Sequence, residues 1–238
     1  MMTASELDYY DAKCETCKYN TTYKSGNSIP TSGIYDITLK CVTIDLSPLG
    51  TYNIGLYIEV AGQPKMMYSV LDLGPEDTLD LESWKVEQYG RAWNVFEHMA
   101  IVSGIDPNDV GVTETVSLPI GKDKAIKDVE AFTEFEDKEI KAWFKFEYYK
   151  TKTGEIREKV VLKEVFTADG LSGDEVLRED PEAKRIEKLA SFVDAISYKS
   201  KLTKEEVDAW IAGGRQGGTA PAKPTATPSF GKKKFGQK

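Results

Sequence analysis

Between Lys141 and Phe166 the chain reads KAWFKFEYYKTKTGEIREKVVLKEVF, and flat rings alternate there with cations. Successive side chains of a strand point to opposite faces. Trp143, Lys145, Glu147 and Tyr149 therefore share one face, and Ala142, Phe144, Phe146 and Tyr148 the other. Thr151-Lys152-Thr153-Gly154 supplies the glycine that a short hairpin loop needs. On the return strand Ile156, Val160 and Leu162 are expected to point inward, with Arg157, Lys159 and Lys163 on the opposite parity. From Lys141 to Lys163 seven Lys/Arg stand against three Glu, in a chain of formal net charge −8. Rings stack bases and cations neutralise phosphates, so a face that mixes them suits a single-stranded nucleic acid. The competing reading is an ordinary solvated strand face with stray aromatics.

Other chemistry has little to work with. The chain holds one histidine, His98, and no Ser/His/Asp or Cys/His grouping stands out for nucleophilic catalysis. Neither a G-x-x-x-x-G-K-[ST] nor a G-x-G-x-x-G phosphate loop is present. Short acidic runs at Glu134-Phe135-Glu136-Asp137 and Gly173-Asp174-Glu175 read as solvated surface, not as a nuclease centre. Cys14 and Cys17 have the spacing of half a zinc knuckle, but only Cys41 and His98 remain to complete four ligands. Two free thiols are the expectation, with no metal and no cofactor. Three cysteines, an odd number, also argue against a disulfide framework.

The elements that must position the aromatic-basic face follow from periodicity. GIYDITLKCVTIDL, from Gly33, alternates Tyr35, Ile37, Leu39 and Cys41 against Asp36, Thr38, Lys40 and Val42, and is long enough to curve. TYNIGLYIEV is a second strand, with Gly55 marking a bulge or tight bend. KMMYSVLDL is a third. From Trp84 to Ser103 the period becomes helical, with Tyr89, Ala92, Trp93, Phe96, Met99 and Ala100 on one face. Weak strand signals at Val116–Ile120 and a mixed stretch from Asp123 to Glu139 lead to the hairpin. Three strands, a helix, then two strands is the order of an OB-fold, a five-stranded Greek-key barrel in an α+β, mainly β chain. Ligands of that fold cross strands two and three and the loop joining four and five. The candidate binding residues are therefore Tyr57, Lys65 and Tyr68 on the central strands, and Trp143, Lys145, Tyr149, Lys150, Lys152, Arg157 and Lys159 on the hairpin.

Residues 1–31 read as an extended arm and 32–166 as the OB-fold domain. Residues 167–212 are a helical extension, with Ile186, Leu189, Phe192, Val193 and Ile196 on one helix face. Thr203 and Glu206 form a capping box before the last helix. Residues 213–238 form a basic tail with six Lys/Arg and no acid, too poor in periodic apolar residues to fold. No run approaches the roughly 18–20 apolar residues that span a bilayer. The N-terminus lacks a signal-peptide pattern, so a soluble intracellular protein with no membrane contact is expected.

SGIYDITLKCVTI, the curved second strand, the Trp/Phe-rich helix, FKFEYYKTKTGEIREKVVLKEVFTADGLSG and the short Thr-Lys-Glu-Glu helix together resemble a tailed-phage single-stranded DNA-binding protein, over roughly Gly33 to Gly213. The resemblance implies a non-enzymatic protein that coats exposed single strands during phage DNA replication, recombination and repair. It also implies a place in the cytoplasm of the infected bacterial host, and contacts with replication or recombination proteins. One departure is the basic end, GKKKFGQK, where many such proteins carry an acidic tip. The alternative expectation is a virion-associated or protein-interaction β-barrel module with a basic nucleic-acid tether.

Overall fold

In the computed structural model, residues 29, 31–60, 63–78, 80–120 and 125–213 are described. The expected tail, most of the expected arm, and Cys14 and Cys17 lie outside them. The chain divides into two compact units, residues 1–146 with 160–196, and residues 147–159 with 197–238. The division crosses the hairpin, so the turn end of that hairpin groups with the C-terminal segment.

The first unit is built on β1 (Gly33–Leu46), β2 (Tyr52–Val60) and β3 (Gln63–Gly74), followed by helix α1 (Ser83–Val102). Next come the strands β4 (Thr113–Ile120) and β5 (Ala125–Phe132). The sheet order is β3-β2-β1-β5-β4, and β6 (Lys138–Lys150) also pairs with β1. β1 is the branch point. Its first half, Gly33–Leu39, runs antiparallel to β6, and Val42–Ile44 run antiparallel to β5. Its other edge pairs with β2 from Ile37 to Leu46. The register shifts between Leu39 and Cys41, a bulge of the kind that bends a strand. Gly55 serves the second expected bend. The β2–β3 register shifts beside it, and a Cβ there would lie 2.5 Å from Thr43 Oγ1.

Three strands, α1 and the hairpin occur in the expected order, and the chain is mainly β with an open antiparallel sheet. Two expectations need correction. The sheet is not closed, with β3 and β4 ending its order, and the described residues hold eight strands rather than five. The extra pair β4–β5 falls where only weak signals were read. Val116 and Leu118 of β4, with Val129 and Ala131 of β5, form a buried cluster with Cys41 and Tyr57.

The second half of α1 buries Phe96, Met99, Ala100 and Val102, while Trp84 and Trp93 nearer its start stay about half exposed. Phe96 meets Phe132 and Phe135 at ring distances of 5.5 and 5.9 Å. After β7 (Ile156–Thr167) come α2 (Gly173–Leu177) and α3 (Lys184–Leu189). Ser172 and Glu175 cap α2 reciprocally. Burial opposes ionisation of Glu175, yet hydrogen bonds from the Ser172 and Arg185 backbone N–H groups and the Ser172 hydroxyl hold its pKa below the ordinary carboxylate value.

The second unit holds the turn end of the β6–β7 hairpin, the short strand β8 (Ser197–Tyr198) and helix α4 (Lys204–Ala212). β8 pairs with β6 in parallel, Glu147 beside Ser197 and Tyr148 beside Tyr198. Tyr148 stacks on Tyr198 at 6.2 Å and meets Trp210 of α4 edge-on at 6.2 Å. Thr203 and Glu206 form the expected capping box.

Candidate nucleic-acid interface

The hairpin turn closes through Thr151 N–H to Glu155 O at 2.9 Å and Gly154 N–H to Thr151 O at 3.0 Å. Gly154 takes φ +84°, a conformation strained for any residue with a Cβ. Counting back from the Thr151–Glu155 closure sets Tyr149 opposite Arg157 and Glu147 opposite Lys159. The ion pair from Lys159 Nζ to Glu147 Oε2, 3.4 Å, agrees with that register. Tyr149 is partly exposed, and Lys152, Arg157 and Lys159 are exposed. These four residues and Lys150 are brought together on the turn end of the hairpin in the second unit.

Most of these cations are already held by carboxylates. Lys150 Nζ donates to Glu206 Oε1 at 2.5 Å, and Arg157 donates to Glu155 Oε2 at 2.6 Å. Lys159 is held by Glu147, whose side chain is only 6% exposed. The Lys150 hydrogen bond, followed by the Thr203 backbone N–H, keeps the Glu206 carboxyl below the usual carboxylate range. Lys152, by contrast, has no ion-pair partner among the described residues. Phosphate oxygens could replace the carboxylates on Lys150 and Arg157, because such solvent-facing pairs are weak, whereas Lys159 is needed by the buried Glu147.

The remaining candidates are not part of this cluster. Trp143 is 8% exposed, so the expectation of a free stacking ring there is corrected. The cause is the helical extension, which covers it within the first unit. Trp143, Phe166 and Leu189 form a core cluster flanked by Ile34, Ile186 and Val193. The indole Nε1 donates to Val193 O at 2.9 Å, and Phe192 meets the ring edge-on at 5.9 Å. Lys145 lies over the same ring, 5.9 Å from its centre. Tyr57 is 4% exposed within the cluster roofed by β4 and β5, and it too is withdrawn from the surface. Lys65 and Tyr68 fall on β3, and their side chains lie outside the described residues.

No protein-family model matches this chain, and no curated protein matches it in sequence.

Charge separates the two units. Residues 147–159 and 197–238 carry thirteen Lys/Arg against six Asp/Glu, but six of those cations lie beyond residue 213, outside the described residues, and the described part has a net charge of +1. The first unit carries eighteen against thirty-three, a net charge of −15. No group of three or more His, Cys, Asp or Glu suited to a metal ion occurs among the described residues. No described helix is long and apolar enough to cross a membrane.

Proposed function

We propose that this chain is a non-catalytic single-stranded DNA-binding protein that coats exposed strands with little sequence preference, and that its curved sheet is a variant of the OB type. The observation that carries the reading is the turn end of the β6–β7 hairpin. There a partly exposed Tyr149 stands opposite Arg157, with Lys150, Lys152 and Lys159 around it. A ring of this kind accepts any base, because every base offers a π-face, and the cations meet the backbone. The surface offers few amide side chains to read base edges, which favours sequence-independent binding. Work on phage DNA during replication, recombination and repair is part of the same proposal and follows from the resemblance described above.

The test is titration of the full chain with oligo(dT), followed by tryptophan fluorescence, across a salt series. The logarithm of the association constant should fall with the logarithm of salt concentration by about 0.7 per phosphate contacted. Mixed-sequence strands should bind within a few-fold of oligo(dT). Failure to bind, a slope near zero, or strong preference for one defined sequence would refute the proposal and favour the protein-interaction reading.

A further inference from the structure

We propose that Lys199 and Lys201, on the turn between β8 and α4, supply backbone-phosphate contacts that complete a three-strand binding face with Tyr149 at its centre. This inference rests on the single-strand reading and adds a second segment of chain to its site.

β8 runs parallel to β6, with Ser197 beside Glu147 and Tyr198 beside Tyr148. The hydrogen bond from Lys199 N–H to Tyr148 O, 2.7 Å, closes the last step of that ladder. Lys199 follows Tyr198 directly, so the chain leaves the ladder at the level of Tyr149. Arg157 stands on the other side of Tyr149, on β7. Lys199 and Arg157 thus flank the level of one ring with two cations. The rise of a nucleic-acid strand would set a phosphate near either cation while a base covers the ring.

The second observation is which cations are available. In the second unit Lys150, Arg157, Lys159 and Lys204 each hold a carboxylate, from Glu206, Glu155, Glu147 and Asp208 respectively. Lys199 and Lys201 are exposed and have no ion-pair partner among the described residues. A phosphate reaching them displaces nothing.

The third observation is the backbone. Ser200 and Lys201 adopt φ +57° and +59°, and the turn closes through Leu202 N–H to Lys199 O at 3.1 Å. Two successive left-handed residues with Cβ atoms are strained, and glycine would make this turn more easily. At Lys201 the left-handed backbone and the positive charge sit on one residue. The two roles can then be separated, because substitution by glycine should ease the backbone and remove the cation together.

The experiment compares the full chain with Lys199→Ala, Lys201→Gly, the double variant, and Ser200→Gly as a control. Each is titrated with oligo(dT) across a salt series and melted thermally. The double variant should bind about tenfold or more weakly at low salt. Its log–log salt slope should be shallower by about 1.4, from about 0.7 per lost phosphate contact. Lys201→Gly should melt at or above the wild-type temperature while binding less tightly. Ser200→Gly should change the melt in the same direction and leave binding alone. Replacing both lysines with arginine should restore the slope. If the wild type binds and the double variant, melting normally, keeps the wild-type slope, this inference is overturned and the single-strand reading stands. If the wild type itself fails to bind, both are overturned.

Discussion

Trp143 and Tyr149 lie on the same strand, at the same parity, six positions apart, yet they meet opposite fates. Trp143 is 8% exposed, with its indole N–H held by Val193 O. Tyr149 is partly exposed and stands across from Arg157 in a unit of opposite net charge. Alternation assigns a side chain to a face, but what folds onto that face decides whether it is core or surface. At Trp143 the cover is a greasy segment around Leu189. Around Tyr149 the neighbouring elements bring a capped polar helix and a lysine-rich turn.

The contrast can be broken at either residue. Trp143→Ala should destabilise the protein by about 3–5 kcal/mol, the cost of emptying a large aromatic site in a core. Urea or thermal melts would measure it, and the fraction that stays folded should keep most of its affinity for oligo(dT). Tyr149→Ala should do the reverse, weakening oligo(dT) binding by about 1–3 kcal/mol while the melt moves little. If Tyr149→Ala melts early and binds normally, the hairpin tip is structural and the contrast collapses.

Two smaller effects would sharpen it. Glu206→Gln removes the carboxylate that holds Lys150, and should tighten oligo(dT) binding by about two- to fivefold at low salt, the scale of a surface ion pair. Acid should act on the same link. The folded-state pKa of Glu206 lies below its ordinary value, so the unfolded chain takes up that proton first. Its contribution to stability is complete above the ordinary carboxylate range and is lost as pH falls through the folded value. The protection of α4 amides, measured as exchange relative to the intrinsic rate at each pH, should fall on acidification from about pH 5 to about pH 3, and should fall less in Glu206→Gln.

The elements with local signals were legible in the sequence. β1 and β2 alternate cleanly, Gly55 marks its bulge, Gly154 marks its turn, and Thr203 with Glu206 announces the start of α4. The even-numbered face of β6 is core as alternation indicates, with Ala142, Phe144, Phe146 and Tyr148 all buried. What escaped depends on distant pairing. β8 is two residues long, and its place is set by a parallel partner fifty positions earlier. No local pattern could announce it, so Lys199 and Lys201 went unnoticed. Tyr57 escaped for the same reason, because residues of β4 and β5, some sixty to seventy positions later, bury it. β4 shows only weak strand signals from Val116 to Ile120, and β5 sits in a mixed, partly acidic stretch, so neither announces itself.

The branching of β1 also has a consequence in time. Its opening residue Gly33 pairs with Phe144, and Ile37 with Ile140, so one edge of this strand waits for more than a hundred residues to be synthesised. Ribosomes extend chains at about 5–20 residues per second, which leaves that edge without its partner for roughly 5–20 seconds in each round of translation. An unpaired strand edge invites association with other chains. Yield at high expression should therefore depend on growth temperature and chaperone supply more steeply than the stability of the finished protein would indicate.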